Sequence, residues 1–253
     1  MSDSAKKYTI AVIPGDGIGK EVTPWAQKAL EKAAEGVAEF DYENFDLGAE
    51  RYLRDGAILP EEEEERIKKT DAILLGAVGD PRIKAGILER GLLLKLRFDL
   101  DQYVNLRPVR LFPGVPCPLA GKKAGDIDFY VVRENTEGEY TSVGGRMFEG
   151  TEREFVLQES VFTRHGSDRI LKYAFEMANN RDKKKITVAT KSNGVAVSMP
   201  YWDERAEAMA EQYPDVAMDK QHIDILCARF VLQPNRFDVV VASNLFGDIL
   251  SDE

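Results

Sequence analysis

The residues with the clearest capacity for chemistry are two carboxylates near the end of the chain, Asp248 and Asp252 in the run FGDILSD. Four residues apart, they share one face if the segment is helical, with Cβ atoms about 6 Å apart. Two hard oxygen donors at that spacing suit Mg²⁺ or Mn²⁺, with water and a chelating hydroxy or keto acid completing the shell. Two solvated aspartates on a helix surface would show the same spacing. Position favours a site. The acids follow FDVVVA, a β-branched run of the kind that forms a parallel strand covered on both faces, and α/β sheets gather ligands at the carboxyl ends of such strands.

Three arginines add to this. Arg97 closes a leucine-rich stretch over residues 87–96, Arg107 stands in NLRP, and Arg133 ends a strand predicted over 129–132. Guanidinium forks bind carboxylates in bidentate fashion, so a dicarboxylate site would use several of them. Spacing alone leaves open whether they meet. Lys191 ends a strand predicted over 186–190, where most lysines are simply solvated. Asp224 sits in an otherwise apolar helical segment, 222–232, where an unpaired acid would want a cation or a donor. Cys117 and Cys227 lack any CxxC or nearby histidine pair and read as buried thiols; His165 and His222 read as ordinary polar residues.

The elements that must carry these residues alternate between strand and helix. A first strand over 8–13 runs into PGDGIGK, after a loose tail over residues 1–7. The dinucleotide fingerprint needs glycine where Lys20 stands, and the phosphate loop needs serine or threonine where Glu21 stands, so a tight turn is the remaining reading. A helix over 21–35 carries Val22, Trp25, Ala26, Ala29, Leu30 and Ala33 at helical period, which predicts a core-facing stripe. Further strands are predicted near 40–45 and 72–75, and helices over 167–180 and 199–212. Residues 141–163 read as a two-stranded arm around Gly144, Gly145 and Gly150. The sum is an α/β chain large enough for two lobes. A net charge of −10 disfavours nucleic acid and anionic membranes as partners. With no secretory signal and no apolar run near 20 residues, the expectation is a cytoplasmic protein without a membrane span.

The runs IPGDGIGKEV, YVNLRPVRLFPG, VVRENTEGEY, TKSN and FGDILSD, in this order, resemble the metal-dependent β-decarboxylating dehydrogenases of the isocitrate/isopropylmalate family over essentially the whole chain. Within that family the likeness is to the branch acting on D-malate and tartrate, with 3-isopropylmalate as the rival substrate. The residues Asn135 to Gly138 argue against that rival, whereas Leu93 and Leu94 could floor a pocket for its side chain. The resemblance implies the family's two-lobed fold, distinct from the Rossmann fold. Residues 1–104 would form the first half of a cofactor lobe, and residues 105–253 a substrate and dimerisation lobe with a β-arm near 138–163. It further implies NAD, Mg²⁺ or Mn²⁺, K⁺ as an optional further cation, and a small 2-hydroxy dicarboxylate as substrate. Arg97, Arg107 and Arg133 match the substrate-carboxylate clamp, Tyr140 the proton-transferring tyrosine, and Lys191 the lysine that assists the base. Asn193 matches a contact on the nicotinamide side, and Asp224, Asp248 and Asp252 the metal carboxylates. Counterparts of Lys191 and Asp224 come from a second subunit, so the active unit would be a homodimer with shared sites. Relatives continue beyond the position of Glu253, which leaves the first lobe expected to be incomplete and a dimerising but inactive fragment as the competing expectation.

Overall fold

The computed structural model describes residues 6–252. The chain divides into two units, Met1–Leu100 and Asp101–Glu253. In the first, strand β1 (Lys6–Gly15) is flanked by β2 (Ala38–Asn44) and β3 (Ala72–Ala77), both parallel to it. Parallel neighbours require crossovers. Helix α1 (Ile18–Ala33) makes the first of them, and α2 (Ala49–Asp55) and α3 (Glu61–Ile67) lie in the second. The Glu61–Glu64 run opens α3 directly after Pro60, where acids complement the helix dipole. A π-helical turn, Glu89–Leu94, runs into α4 (Lys95–Asp99), and its Leu92 with Leu96 joins Ala11, Ile13, Phe45, Leu47 and Ile67 in the unit's core.

Strand β1 starts two residues earlier than the sequence predicts, and the rest of the predicted tail lies outside the described residues. The predicted core stripe of α1 is a clearer miss. Val22 and Trp25 are exposed, Trp25 at 70%, and the buried positions of the helix are Gly19 and Thr23. The helix meets β1 and β3 through its small residues: a Cβ on Gly19 would lie 2.1 Å from the Pro14 carbonyl oxygen and 2.5 Å from the Ala77 nitrogen. The Gly-rich turn packs on the end of β3 in the same way, since a Cβ on Gly15 (φ +71°) would lie 2.0 Å from the Ala77 carbonyl oxygen. Buried Asp16 ties that turn down by accepting the N–H groups of Ala49 (2.8 Å) and Gly79 (3.0 Å).

The second unit holds a five-stranded sheet. Its strands are β4 (Val104–Arg110), β5 (Asp128–Glu134), β8 (Lys185–Thr190), β9 (Ala217–His222) and β10 (Val239–Ala242), in the order β4-β5-β10-β8-β9. Only β4 runs antiparallel to its neighbour. Strands β6 (Gly144–Met147) and β7 (Phe155–Gln158) form a separate exposed antiparallel ribbon, the predicted arm. The central strand β10 is buried throughout, and its side chains alternate between two layers. Val239 and Val241 pack with helices α5 (Arg164–Asn179) and α6 (Ser198–Ala210) through Ile170, Ala174, Phe175 and Trp202. Val240 and Ala242 pack with α7 (Ile223–Leu232) and α8 (Asn244–Asp252) through Leu226, Phe230 and Leu250. That two-sided burial is why β10 is an unbroken apolar run. Cys117 and Cys227 are half-buried beside the second layer rather than fully enclosed. No helix of the described residues is long and apolar enough to cross a membrane.

Candidate functional site

Two register relations set the site in the second unit. The antiparallel pairing of β4 and β5 puts Asn105 opposite Arg133 and Arg107 two residues along, so both arginines project from one face as diagonal neighbours. Parallel pairing of β5 with β10 puts Ala242 beside Arg133, so the chain leaving β10 enters α8 directly over that guanidinium. The fit needs glycine at position 247, where a Cβ would lie 2.6 Å from the Arg133 Cβ and Cγ.

Asp248, one residue further along α8, is the meeting point. Its Oδ1 accepts a hydrogen bond from Arg133 Nη1 and lies 3.2 Å from Arg107 Nη2, and its Oδ2 accepts the Tyr140 hydroxyl at 2.7 Å. Burial pushes the Asp248 pKa up, but the Tyr140 hydrogen bond and the charges of Arg133 and Arg107 outweigh it and hold the carboxyl below its ordinary range. Burial, then the hydrogen bond to Asp248, raises the Tyr140 pKa above its ordinary 10.0, and the Arg133 guanidinium lies 5.5 Å from the centre of the ring. Arg133 itself is 2% exposed, and burial lowers its pKa. Arg107 also donates to Ser251 Oγ and reaches Asp252 Oδ1 at 3.8 Å, with the Asp252 side chain 82% exposed. Arg107, Arg133, Tyr140, Asp248 and Asp252 therefore form one cluster.

Lys191 and Asp224 form a second. Lys191 Nζ lies 2.8 Å from Asp224 Oδ1, and that hydrogen bond lowers the Asp224 pKa. The reading of Asp224 as a buried acid is corrected: it is exposed, near the start of α7, and its cation is Lys191. Asn193 stands exposed in the turn after β8, where Gly194 and Val195 donate to the Lys191 carbonyl. Arg97 lies on α4 in the other unit, half-buried.

Among the described residues no three His, Cys, Asp or Glu side chains come together as a metal set. What one chain offers is the carboxylate pair Asp248 and Asp252, which are hard donors of the type Mg²⁺ or Mn²⁺ takes. The first cluster carries two cationic and two anionic side chains. A divalent cation and a dianionic acid entering together would preserve that balance, whereas either alone would leave charge uncompensated.

Sequence reasoning passed over several residues that the fold makes important. Ser243, Asn244, Glu139 and Ser251 carry no chemical signal of their own in the sequence. Buried Asn244 contacts Arg133, and Glu139 accepts Ser243 Oγ at 2.8 Å and the Leu245 N–H at 3.0 Å. The only signal available was their place beside the end of an apolar strand.

Residues 9–253 match the protein family described as isocitrate/isopropylmalate dehydrogenase. The chain is 64% identical over 251 residues to D-malate dehydrogenase [decarboxylating] of Escherichia coli (strain K12), covering 98% of this chain and 69% of that one. It is also 64% identical over 249 residues to 3-isopropylmalate dehydrogenase of Bifidobacterium longum (strain DJO10A), covering 98% and 72%. Overall identity therefore does not separate the two. The crystal structure of isocitrate dehydrogenase from Methylococcus capsulatus superposes with a TM-score of 0.84 at 33% identity, over 97% of this chain and 69% of that one.

Proposed function

The chain belongs to the isocitrate/isopropylmalate dehydrogenase family, and we propose that within it the chain is an NAD-dependent decarboxylating dehydrogenase of a small 2-hydroxy dicarboxylate, D-malate first and tartrate next. The observation that carries this reading is the convergence of Arg107, Arg133 and Tyr140 on Asp248. Two guanidinium groups beside one carboxylate pair form a pocket for an anionic chelator, and a tyrosine within hydrogen-bond reach of the same carboxylate supplies a proton at that point.

The residues divide the work as follows. Arg107 and Arg133 hold the substrate carboxylates and fix which carbon faces which group. Lys191, as the neutral amine, helps remove the proton of the C2 hydroxyl, and Asp224 holds the ammonium so formed. NAD, contacted on its nicotinamide side by Asn193, would supply the hydride acceptor for C2, and the oxidised product would be a 2-oxo acid with a carboxylate on C3. That carboxylate departs as CO₂, and Tyr140 delivers or relays a proton to C3; D-malate would yield pyruvate, CO₂ and NADH. Asp248 and Asp252 would hold Mg²⁺ or Mn²⁺, which supplies Lewis acidity at the hydroxyl oxygen and later at the enolate oxygen. Asp224 of a second copy would complete the set, so the active unit is a homodimer; the unpartnered apolar side chains Ile225, Leu232, Met147 and Val156 on α7 and the arm support it.

A second reading, 3-isopropylmalate as substrate, is favoured by the equal identity to a curated 3-isopropylmalate dehydrogenase. The test is NADH absorbance with purified chain, Mn²⁺ and K⁺, with D-malate, tartrate and 3-isopropylmalate in parallel and a chelator control. Chelator-sensitive reduction with D-malate supports the first reading, a larger kcat/KM with 3-isopropylmalate replaces it with the second, and no reduction with any of the three overturns both.

A further inference from the structure

We infer that Asn244 is the positioning residue of this site, the side chain that fixes Arg133 and the turn carrying Tyr140 as a single unit; the inference rests on the dehydrogenase reading and adds a residue to it. Asn244 is the first residue of α8 and is 1% exposed. Its Oδ1 accepts two hydrogen bonds from Arg133, from Nε at 3.1 Å and Nη2 at 2.8 Å. Its Nδ2 donates to the Glu137 carbonyl at 3.0 Å. A guanidinium has two usable forked edges. With the Nε–Nη2 edge taken by the amide, Nη1 is the nitrogen left to face Asp248, which is the contact seen. Asn244 therefore decides which edge Arg133 presents to a bound carboxylate.

The same residue anchors the turn that leads to Tyr140. Gly138 (φ +79°) runs so close that a Cβ there would lie 3.3 Å from the Asn244 Cβ. Glu139 then fastens its carboxylate to Ser243 and to the Leu245 N–H, the residues on either side of Asn244. A carboxylate set against the N-terminus of a helix is also favoured by the dipole. Residues 137–139 are thus bound to three consecutive positions at the start of α8, and Tyr140 ends the turn with its hydroxyl on Asp248, four residues further along the same helix. The carboxylate-binding arginine, the proton-transferring tyrosine and the metal carboxylate share one reference point.

Two substitutions separate these ties. Asn244→Ala removes all three hydrogen bonds; Asn244→Asp keeps the acceptor for Arg133, loses the donor to Glu137, and adds a charge that competes with substrate for the guanidinium. In crystals of Asn244→Ala the Arg133 guanidinium should leave its observed place. The KM for the hydroxy acid should rise about tenfold or more, as expected when a charge-assisted contact loses its orientation, with the KM for NAD unchanged. In Asn244→Asp the KM for the hydroxy acid should rise further and kcat should fall with the loosened Tyr140 turn. A purely structural role would instead lower thermal stability and shift the two KM values together. If Asn244→Ala does not fold, the Asp variant gives both readouts. An unmoved Arg133, or an unchanged KM for the hydroxy acid in a folded variant, overturns the inference. If the wild-type chain oxidises no hydroxy acid, the dehydrogenase reading fails, and the position of Arg133 in the variant crystals still decides the role of Asn244.

Discussion

Asp248 holds two cations and a phenol at once, and each partner makes a separate demand on it. Asp248→Asn keeps the shape and removes the charge. Metal-dependent turnover should fall by more than about a hundredfold, because several kcal/mol of metal-borne charge stabilisation is lost. Stability should fall too, since a nearly buried Arg133 loses its counter-ion. A fully buried pair costs more when broken, so with a third of the Asp248 side chain exposed about 2 kcal/mol is expected, read as a lower urea midpoint. Tyr140 gives an independent check. Its pKa is raised, so the protonated phenol is the form the fold favours. Its contribution to stability is complete below the ordinary value of about 10 and is lost as pH rises through the raised value. The difference between wild-type and Tyr140→Phe ultraviolet titrations should place this phenol above the exposed tyrosines, and Asp248→Asn should bring it back down. A Tyr140 that titrates with the bulk would contradict the hydrogen bond to Asp248.

At the scale of elements, α8 is placed by what it lacks. Gly247 lets the helix lie on the Arg133 stem, so Gly247→Ala should force helix and arginine apart, cost about 2 kcal/mol as overpacking does, and raise the KM for the hydroxy acid. In the first unit the corresponding anchor is charged. Glu64 on α3 is 6% exposed and pairs with Lys68 at 2.6 Å and Lys95 at 2.9 Å, which ties α3 to α4. The hydrogen bonds from Lys68 and Lys95 hold its pKa at about 2. Stability from this group is therefore present above about pH 4.5 and lost as pH falls toward 2. The urea midpoints of wild-type and Glu64→Gln should differ at pH 7 and converge as pH falls toward 2; a constant gap would mean that charge is not what Glu64 supplies. These elements also mark what the sequence could disclose. The continuous run in β10 and the stripe Ile170, Leu171, Ala174, Phe175 and Ala178 in α5 were legible because both are buried by neighbours within the chain. The equally periodic stripe of α1 was not, because period reports a face and not whether the described residues cover it. Strand β4 carries no clear strand signal and β9 reads as extended only over 216–218, because VNLRPVR and AMDKQH sit at the sheet edges and carry polar residues. The meeting of Arg107, Arg133 and Asp248 follows from strand register, which sequence spacing does not contain.

For the molecule as a whole, the arrangement of two separate clusters makes a demand on assembly. Lys191 and Asp224 pair with each other, and among the described residues neither makes a hydrogen bond or ion pair with the group around Asp248. On the proposed dehydrogenase reading, chemistry on one substrate needs the lysine and the metal carboxylates at the same atoms, so a second copy would bring one cluster to the other. A C₂ dimer does this twice, reciprocally. Lys191→Met and Asp248→Asn should then each be inactive alone with whichever hydroxy acid the wild type oxidises, and active when mixed. In a mixed dimer one site combines the intact Asp248 of one chain with the intact Lys191 of the other, and the second site carries both substitutions. If the dimers re-form at random, half are mixed and each has one working site in two, so about a quarter of wild-type activity should return. Unfolding and refolding the variants together, then measuring NADH formation against each variant refolded alone, reads this directly. Recovery near a quarter fits sites shared between copies; no recovery from dimers shown by sedimentation to have exchanged chains would mean that each chain works with its own lysine.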